Sequence, residues 1–219
     1  MMNYPFCNYG AMKVKEEEGK ITVVGSGTVP VIPDTAIINI GVVTEGSNLQ
    51  EVQQENAATT TKVVNSLLSF NIPRENIQTS FYNIEPRYDY KDGTQIFRGY
   101  RVTNMLTVKV KSLNDIGAII DSTVKSGANR IDNITFTVEN PSAFYNEALR
   151  LAVKNAENKA LTIANTLMVQ LIKTPIKVTE ESPVVPINEY SMIKASAETP
   201  VLPGQITITA KITAIYEYA

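Results

Sequence analysis

Five alanines spaced four apart, Ala148, Ala152, Ala156, Ala160 and Ala164, constrain this chain more than any other feature. Residues four apart share one side of an α-helix. A stripe of such small side chains lets a helix lie close against a sheet, because nothing bulky holds the surfaces apart. Asn140 and Pro141 supply an N-cap and a proline at the first helical position. The spacing therefore predicts a helix from there to about Met168, with Leu149, Val153, Leu161 and Leu167 flanking the stripe. Core packing is the role expected of the alanines.

The sheet partners are written in period-two patterns. Ile38, Ile40 and Val42 alternate in a strand over Thr35 to Thr44, opened by Pro33-Asp34. Ile206, Ile208, Ala210, Ile212 and Ala214 alternate in a final strand from Gln205 to Tyr218. Ile77 to Tyr90 and Gln95 to Val110 read as two long strands. Lys91-Asp92-Gly93-Thr94 joins them as a tight hairpin, since Asp-Gly supplies positive φ angles. Shorter strands are expected over Ile131–Val138 and Ile172–Thr179. Ile21–Gly27 reads as a short strand whose Gly25-Ser26-Gly27 makes a strand-end turn.

Two more helices have start signals. Ser47 to Gln50 reads as a capping box for a helix to about Phe70, buried through Leu49, Val52, Val63, Leu67 and Phe70. Its middle, Asn56 to Thr61, is poor in apolar side chains and in helix propensity. Ser112 to Asp115 opens a short helix with Ile116, Ile119, Ile120 and Val124 inward, stopped by Gly127. Strand, capped helix, strand thus occurs twice, in 35–85 and in 102–138. The fold class expected is α+β: a mixed or antiparallel sheet with long hairpin strands and about three helices on one face. Residues 1–19 read as a disordered leader and 20–219 as one domain. A proline-rich loop over 180–203 exceeds a normal connector.

Composition narrows function mainly by exclusion. Histidine and tryptophan are absent. Without imidazole there is no Ser-His or Cys-His nucleophile, no histidine proton shuttle and little basis for a zinc site. The one cysteine, Cys7, forms no intramolecular disulfide and reads as a free thiol. A net charge of −2 argues against a nucleic-acid partner. No cofactor, metal or membrane insertion is expected. Neither a secretory signal nor an apolar span is written in the sequence, so a cytoplasmic location is expected. A chain without its native leader would read the same way, which leaves export or envelope association as the alternative. Asp34 follows a proline at a strand start and has no second acid at a paired-carboxylate spacing; a strand-end hydrogen bond is expected of it.

The ordered set Val24-Gly25-Ser26-Gly27, Pro33-Asp34-Thr35-Ala36, Ile77-Gln78-Thr79, Tyr88-Asp89-Tyr90, Gly99 to Asn104, Ser126 to Ile131 and Pro203-Gly204-Gln205-Ile206 resembles the SIMPL domain family. The resemblance covers about residues 21–218. It implies an α+β domain with long hairpin strands, a tendency to form homo-oligomers and ties to envelope or stress biology; many members are exported or periplasmic. It carries over no catalytic residues.

The candidate contact surface is the hairpin, where Tyr82, Arg87, Tyr88, Tyr90, Phe97, Arg98, Tyr100 and Arg101 cluster. Alternation puts Tyr88 and Tyr90 on one face. Tyrosine and arginine bury much area while keeping polar handles, which suits binding; tyrosine is also common on half-exposed strands. The leading expectation is a non-enzymatic protein acting through homo-oligomeric assembly and protein interaction. The alternative is a small-molecule or peptide binding module with a cleft beside the 180–203 loop. An enzyme built on carboxylates and tyrosines would need a cleft in which such groups converge.

Overall fold

A computed structural model describes residues 19–181 and 200–219. Cys7, the leader and most of the proline-rich loop, with the cleft expected beside it, lie outside the described residues. The elements in order are β1 (Gly19–Val31), β2 (Thr35–Gly46), α1 (Leu49–Ser69), β3 (Ile77–Lys91), β4 (Thr94–Val110), α2 (Ile116–Lys125), β5 (Arg130–Thr137), α3 (Pro141–Leu167), β6 (Lys177–Glu180) and β7 (Ile206–Tyr218). The fold is α+β, with two sheets where one was expected: β1-β7-β6 and β3-β4-β2-β5. The described residues divide into two compact units, one from segments 19–27, 149–181 and 210–219, the other from 28–148 and 200–209.

In the second unit, β2-α1-β3 and β4-α2-β5 interlock, because β4 lies between β2 and β3 while β2 lies between β4 and β5. This is the split β-α-β arrangement, and it explains the repeated strand-helix-strand pattern in the sequence. Ile38, Ile40 and Val42 of β2 are buried, as are Val102, Leu106, Val108 and Val110 of β4. Helices α1 and α2 meet through a hydrogen bond between Ser66 Oγ and Ser122 Oγ at 2.8 Å.

Several local readings change. The cap of α1 is Asn48, one residue after Ser47; its side-chain oxygen accepts from the backbone N–H of Gln50 at 3.0 Å and of Glu51 at 3.5 Å. Ser112 does bond to the Asp115 carboxylate, but the pair closes a 3-10 turn, Leu113–Asp115, before α2 begins. Val124 is 50% exposed, and Thr123 takes the inward position. Leu49 and Phe70 are only half-buried. The weak centre of α1 contains the buried Asn56, whose side-chain amide donates to the carbonyls of Val42 and Val102 at 3.0 and 3.2 Å.

In the first unit, Gly25 does not end a strand. It lies within β1, where a Cβ would come within 2.2 Å of the Ala152 carbonyl oxygen and 2.8 Å of the Ala156 Cβ. The bare stripe of α3 and the bare strand position fit one another. Ala152, Ala156, Ala160 and Ala164 are buried here, as are Ala210, Ile212 and Ala214 of β7; Ala148, Ile206 and Ile208, which belong to the second unit, are buried as well. Two α3 side chains also bond β1 backbone: Asn155 Oδ1 accepts from Ser26 N–H at 3.1 Å, and Lys159 Nζ donates to the Val24 carbonyl at 2.7 Å. β6 is shorter than expected, although Leu171 still bridges to Tyr218.

Candidate functional site

The candidate surface grows out of the β3–β4 pairing. Beside β4, strand β2 ends with Gly46 opposite Tyr100. Beyond that point, among the described residues, β3 and β4 pair only with each other, through Arg87↔Gly99, Tyr88↔Phe97 and on to Lys91↔Thr94. The turn has Asp92 at φ 51° and Gly93 at φ 78°, both positive, as a type I′ hairpin requires. The result is a two-stranded arm.

A bulge shapes this arm. Arg87 faces Gly99 while Tyr88 faces Phe97, so Arg98 is the extra residue on β4. Gly99 follows at φ 116°, where only glycine is comfortable. A Cβ there would also lie 2.3 Å from the Gly46 carbonyl oxygen. The bulge shifts the alternation by one residue, so Phe97 and Tyr100, three apart, share a face.

The register sorts the eight candidate residues onto two faces. Tyr82, Tyr88 and Tyr90 alternate along β3 on one face, and the cross-strand partners add Phe97 and Tyr100 to it. Phe97 sits at the centre, with ring centroids 5.7 Å from Tyr88 and 5.2 Å from Tyr100, both edge-to-face. Tyr88, Tyr90 and Phe97 remain 44%, 75% and 47% exposed. The arginines occupy the opposite face. Glu45, Arg101 and Glu85 lie side by side across β2, β4 and β3. Arg101 Nε donates to Glu45 Oε1 at 2.7 Å, its Nη1 lies 3.5 Å from Glu85, and Arg87 bonds the other Glu45 oxygen. Arg98 pairs with Asp89 at 2.6 Å. The hydrogen bond from Arg101 to Glu45 holds that guanidinium above its usual pKa.

Tyrosines and arginines therefore do not form the single mixed surface that the sequence cluster suggested. One face is bare and aromatic; the other is a charge ladder satisfied within the chain. Glu45, which gathers two of the three arginines, had no signal in the sequence, because its role depends on register across three strands. Asp34 does make the strand-end bonds expected of it: its Oδ1 accepts from Thr35 Oγ1 at 2.8 Å and from Glu139 N–H at 2.7 Å. Among the described residues, no cluster of three Cys, Asp or Glu side chains is placed to hold a metal ion. No described helix is long and apolar enough to cross a membrane.

Fold and surface together define an α+β chain that presents an aromatic hairpin arm. The chain belongs to the SIMPL family, described as proteins of unknown function (DUF541), whose model matches residues 21–216. It is similar to the 26 kDa periplasmic immunogenic protein of Brucella melitensis, 30% identical over 92% of this chain and 85% of that protein. It is also similar to the uncharacterized protein YggE of Escherichia coli K12, 26% identical over 66% of this chain and 59% of that protein. Neither name is that of an enzyme. The Brucella name overturns the cytoplasmic location expected from the sequence, since a relative aligned along most of both chains is periplasmic, which points to export.

Proposed function

We propose that this chain acts without catalysis, outside the cytoplasm, by assembling with further copies of itself through the aromatic face of the β3–β4 arm. The observation that carries the reading is the exposure of Tyr88, Tyr90 and Phe97 on a ribbon that no third strand supports among the described residues. A two-stranded hairpin is marginal alone in water, and clustered exposed aromatics mark surfaces that are covered in use. A second copy is the partner to which the family resemblance points, and the periplasmic name of the Brucella relative supports the location.

The face is a better contact than the edge. β3 is an outer strand of its sheet, but Pro86 has no N–H to offer a neighbour, and a bulge at Ser80 interrupts its pairing. Both features are known to discourage strand-to-strand addition. Light scattering after size exclusion tests the proposal: a species larger than one chain is expected, and a strict monomer at high concentration would sink it.

A further inference from the structure

A cavity beside α1 has a chemistry unlike that of the arm. It measures about 290 Å³ and is lined by Thr60, Val64 and Asn65 of α1, by Thr79 and Leu106 of the hairpin strands, and by Arg74 from the turn before β3. That volume is near the small end of ligand pockets, about 300 Å³. Arg74 is the one charged residue in the lining, and it makes no ion pair among the described residues. The larger cavity of about 500 Å³, at the C-terminal end of α1, is different. Its Lys111 and Lys109 lie 2.6 and 3.9 Å from Glu139, so its cations already have a carboxylate.

Asn104 stands behind the Thr60 wall of the smaller cavity. Asn104 donates its side-chain N–H to Thr60 Oγ1 at 3.3 Å, while its own buried Oδ1 has no partner. The bond is part-buried and holds the Thr60 hydroxyl in place at the cavity wall, while the unpaired Asn104 oxygen lies on the residue behind it and, as an acceptor, contributes nothing to an anion. Arginine is the side chain best matched to carboxylate and phosphate, because its planar fork can donate two parallel hydrogen bonds. Hydroxyl and amide groups of Thr79 and Asn65 supply further polar contacts, and Val64 with the buried Leu106 supplies an apolar wall.

We propose that this cavity binds a small organic anion, a carboxylate or phosphate monoester bearing a compact apolar group, with Arg74 as its anchor. The proposal does not rest on the assembly reading, although Tyr82 of the aromatic face lies beside the cavity. The test is a chemical-shift titration of the isotopically labelled full chain with phenyl phosphate and, separately, with benzoate; benzyl alcohol is the neutral control. Saturable shifts confined to amides near residues 60–65 and 74–79 are expected with at least one anion. Arg74→Gln should weaken that binding about tenfold or more, Arg74→Lys less, as loss of a charge-assisted pair implies. The tighter of the two anions identifies the headgroup. Unsaturable or scattered shifts with both anions would overturn the proposal, as would equal binding of benzyl alcohol or an unchanged affinity in a folded Arg74→Gln variant.

Discussion

The side-chain amide of Asn56, in the middle of α1, donates to the Val42 carbonyl oxygen of β2 at 3.0 Å. It is 1% exposed and also reaches Val102 of β4 and the hydroxyl of Thr44. One helix residue therefore bonds the two central strands of the four-stranded sheet. Buried acceptors that lose a donor cost about 1–3 kcal/mol. Asn56→Leu, similar in size and without a donor, is expected to lower unfolding free energy by about that much. Asn56→Asp should cost more, because a carboxylate would face carbonyl oxygens. Urea denaturation followed by circular dichroism measures both; a loss below about 0.5 kcal/mol for the leucine variant would place the bond outside the stability of the fold.

Gly25 gives a comparison between two glycines with different reasons for being glycine. At Gly25 an added methyl meets the backbone of α3 at 2.2 Å, whereas at Gly93 it meets nothing within 4 Å and only the φ of 78° opposes it. Overpacking against backbone costs about 1–3 kcal/mol or more; a left-handed alanine costs roughly 1–2 kcal/mol. Gly25→Ala is expected to lower the thermal midpoint more than Gly93→Ala does. The reverse order would mean that α3 can withdraw from β1 at little cost.

These two residues also mark where sequence reading succeeds and where it stops. The alanine stripe of α3, the alternation of β7 and the Asp92-Gly93 turn are local patterns, repeated or sterically distinctive, and each was legible. Gly25 reads as a turn in the sequence, because a glycine's local preference cannot reveal that Ala152 and Ala156 of a distant helix press on it. Asn56 looked like a weakness in α1 because propensity does not count strand carbonyls that folding brings alongside. At the candidate surface the residues were legible and their arrangement was not. A single extra residue, Arg98, resets the alternation along β4, which brings Tyr100 onto the face of Phe97 and turns Arg101 to Glu45 on the face away from the tyrosines.

Stability should fall at alkaline pH through Tyr216. This ring is 2% exposed at the end of β7, and burial, with the negative charge of Glu157, raises its pKa above the ordinary phenol value near 10. The unfolded chain therefore ionises first. The contribution of the neutral phenol is complete below about pH 10 and is lost as pH rises through the folded-state value. Urea midpoints between about pH 8 and 11 should fall for the natural chain, and Tyr216→Phe should flatten that fall. An equally steep fall in the phenylalanine variant would assign the effect to other groups.

The arm yields the most direct test of function, because its two faces predict different outcomes. Tyr88, Tyr90 and Phe97 are exposed in the isolated chain, so replacing Tyr90 and Phe97 by Ser removes contact area without opening a core. Assembly should then weaken by about tenfold or more, since interface aromatics commonly cost 2 kcal/mol or more on truncation. The fold should hold, as judged by an unchanged circular dichroism spectrum. On the other face, Glu45→Gln leaves Arg87 and Arg101 without their shared carboxylate. That network is more than a third exposed, so the loss of stability should stay below about 1 kcal/mol and shrink further in salt. If assembly follows the aromatic variant and is indifferent to Glu45→Gln, the contact is the aromatic face. Loss of assembly on Glu45→Gln alone would move the contact to the charged side and rule out the aromatic face.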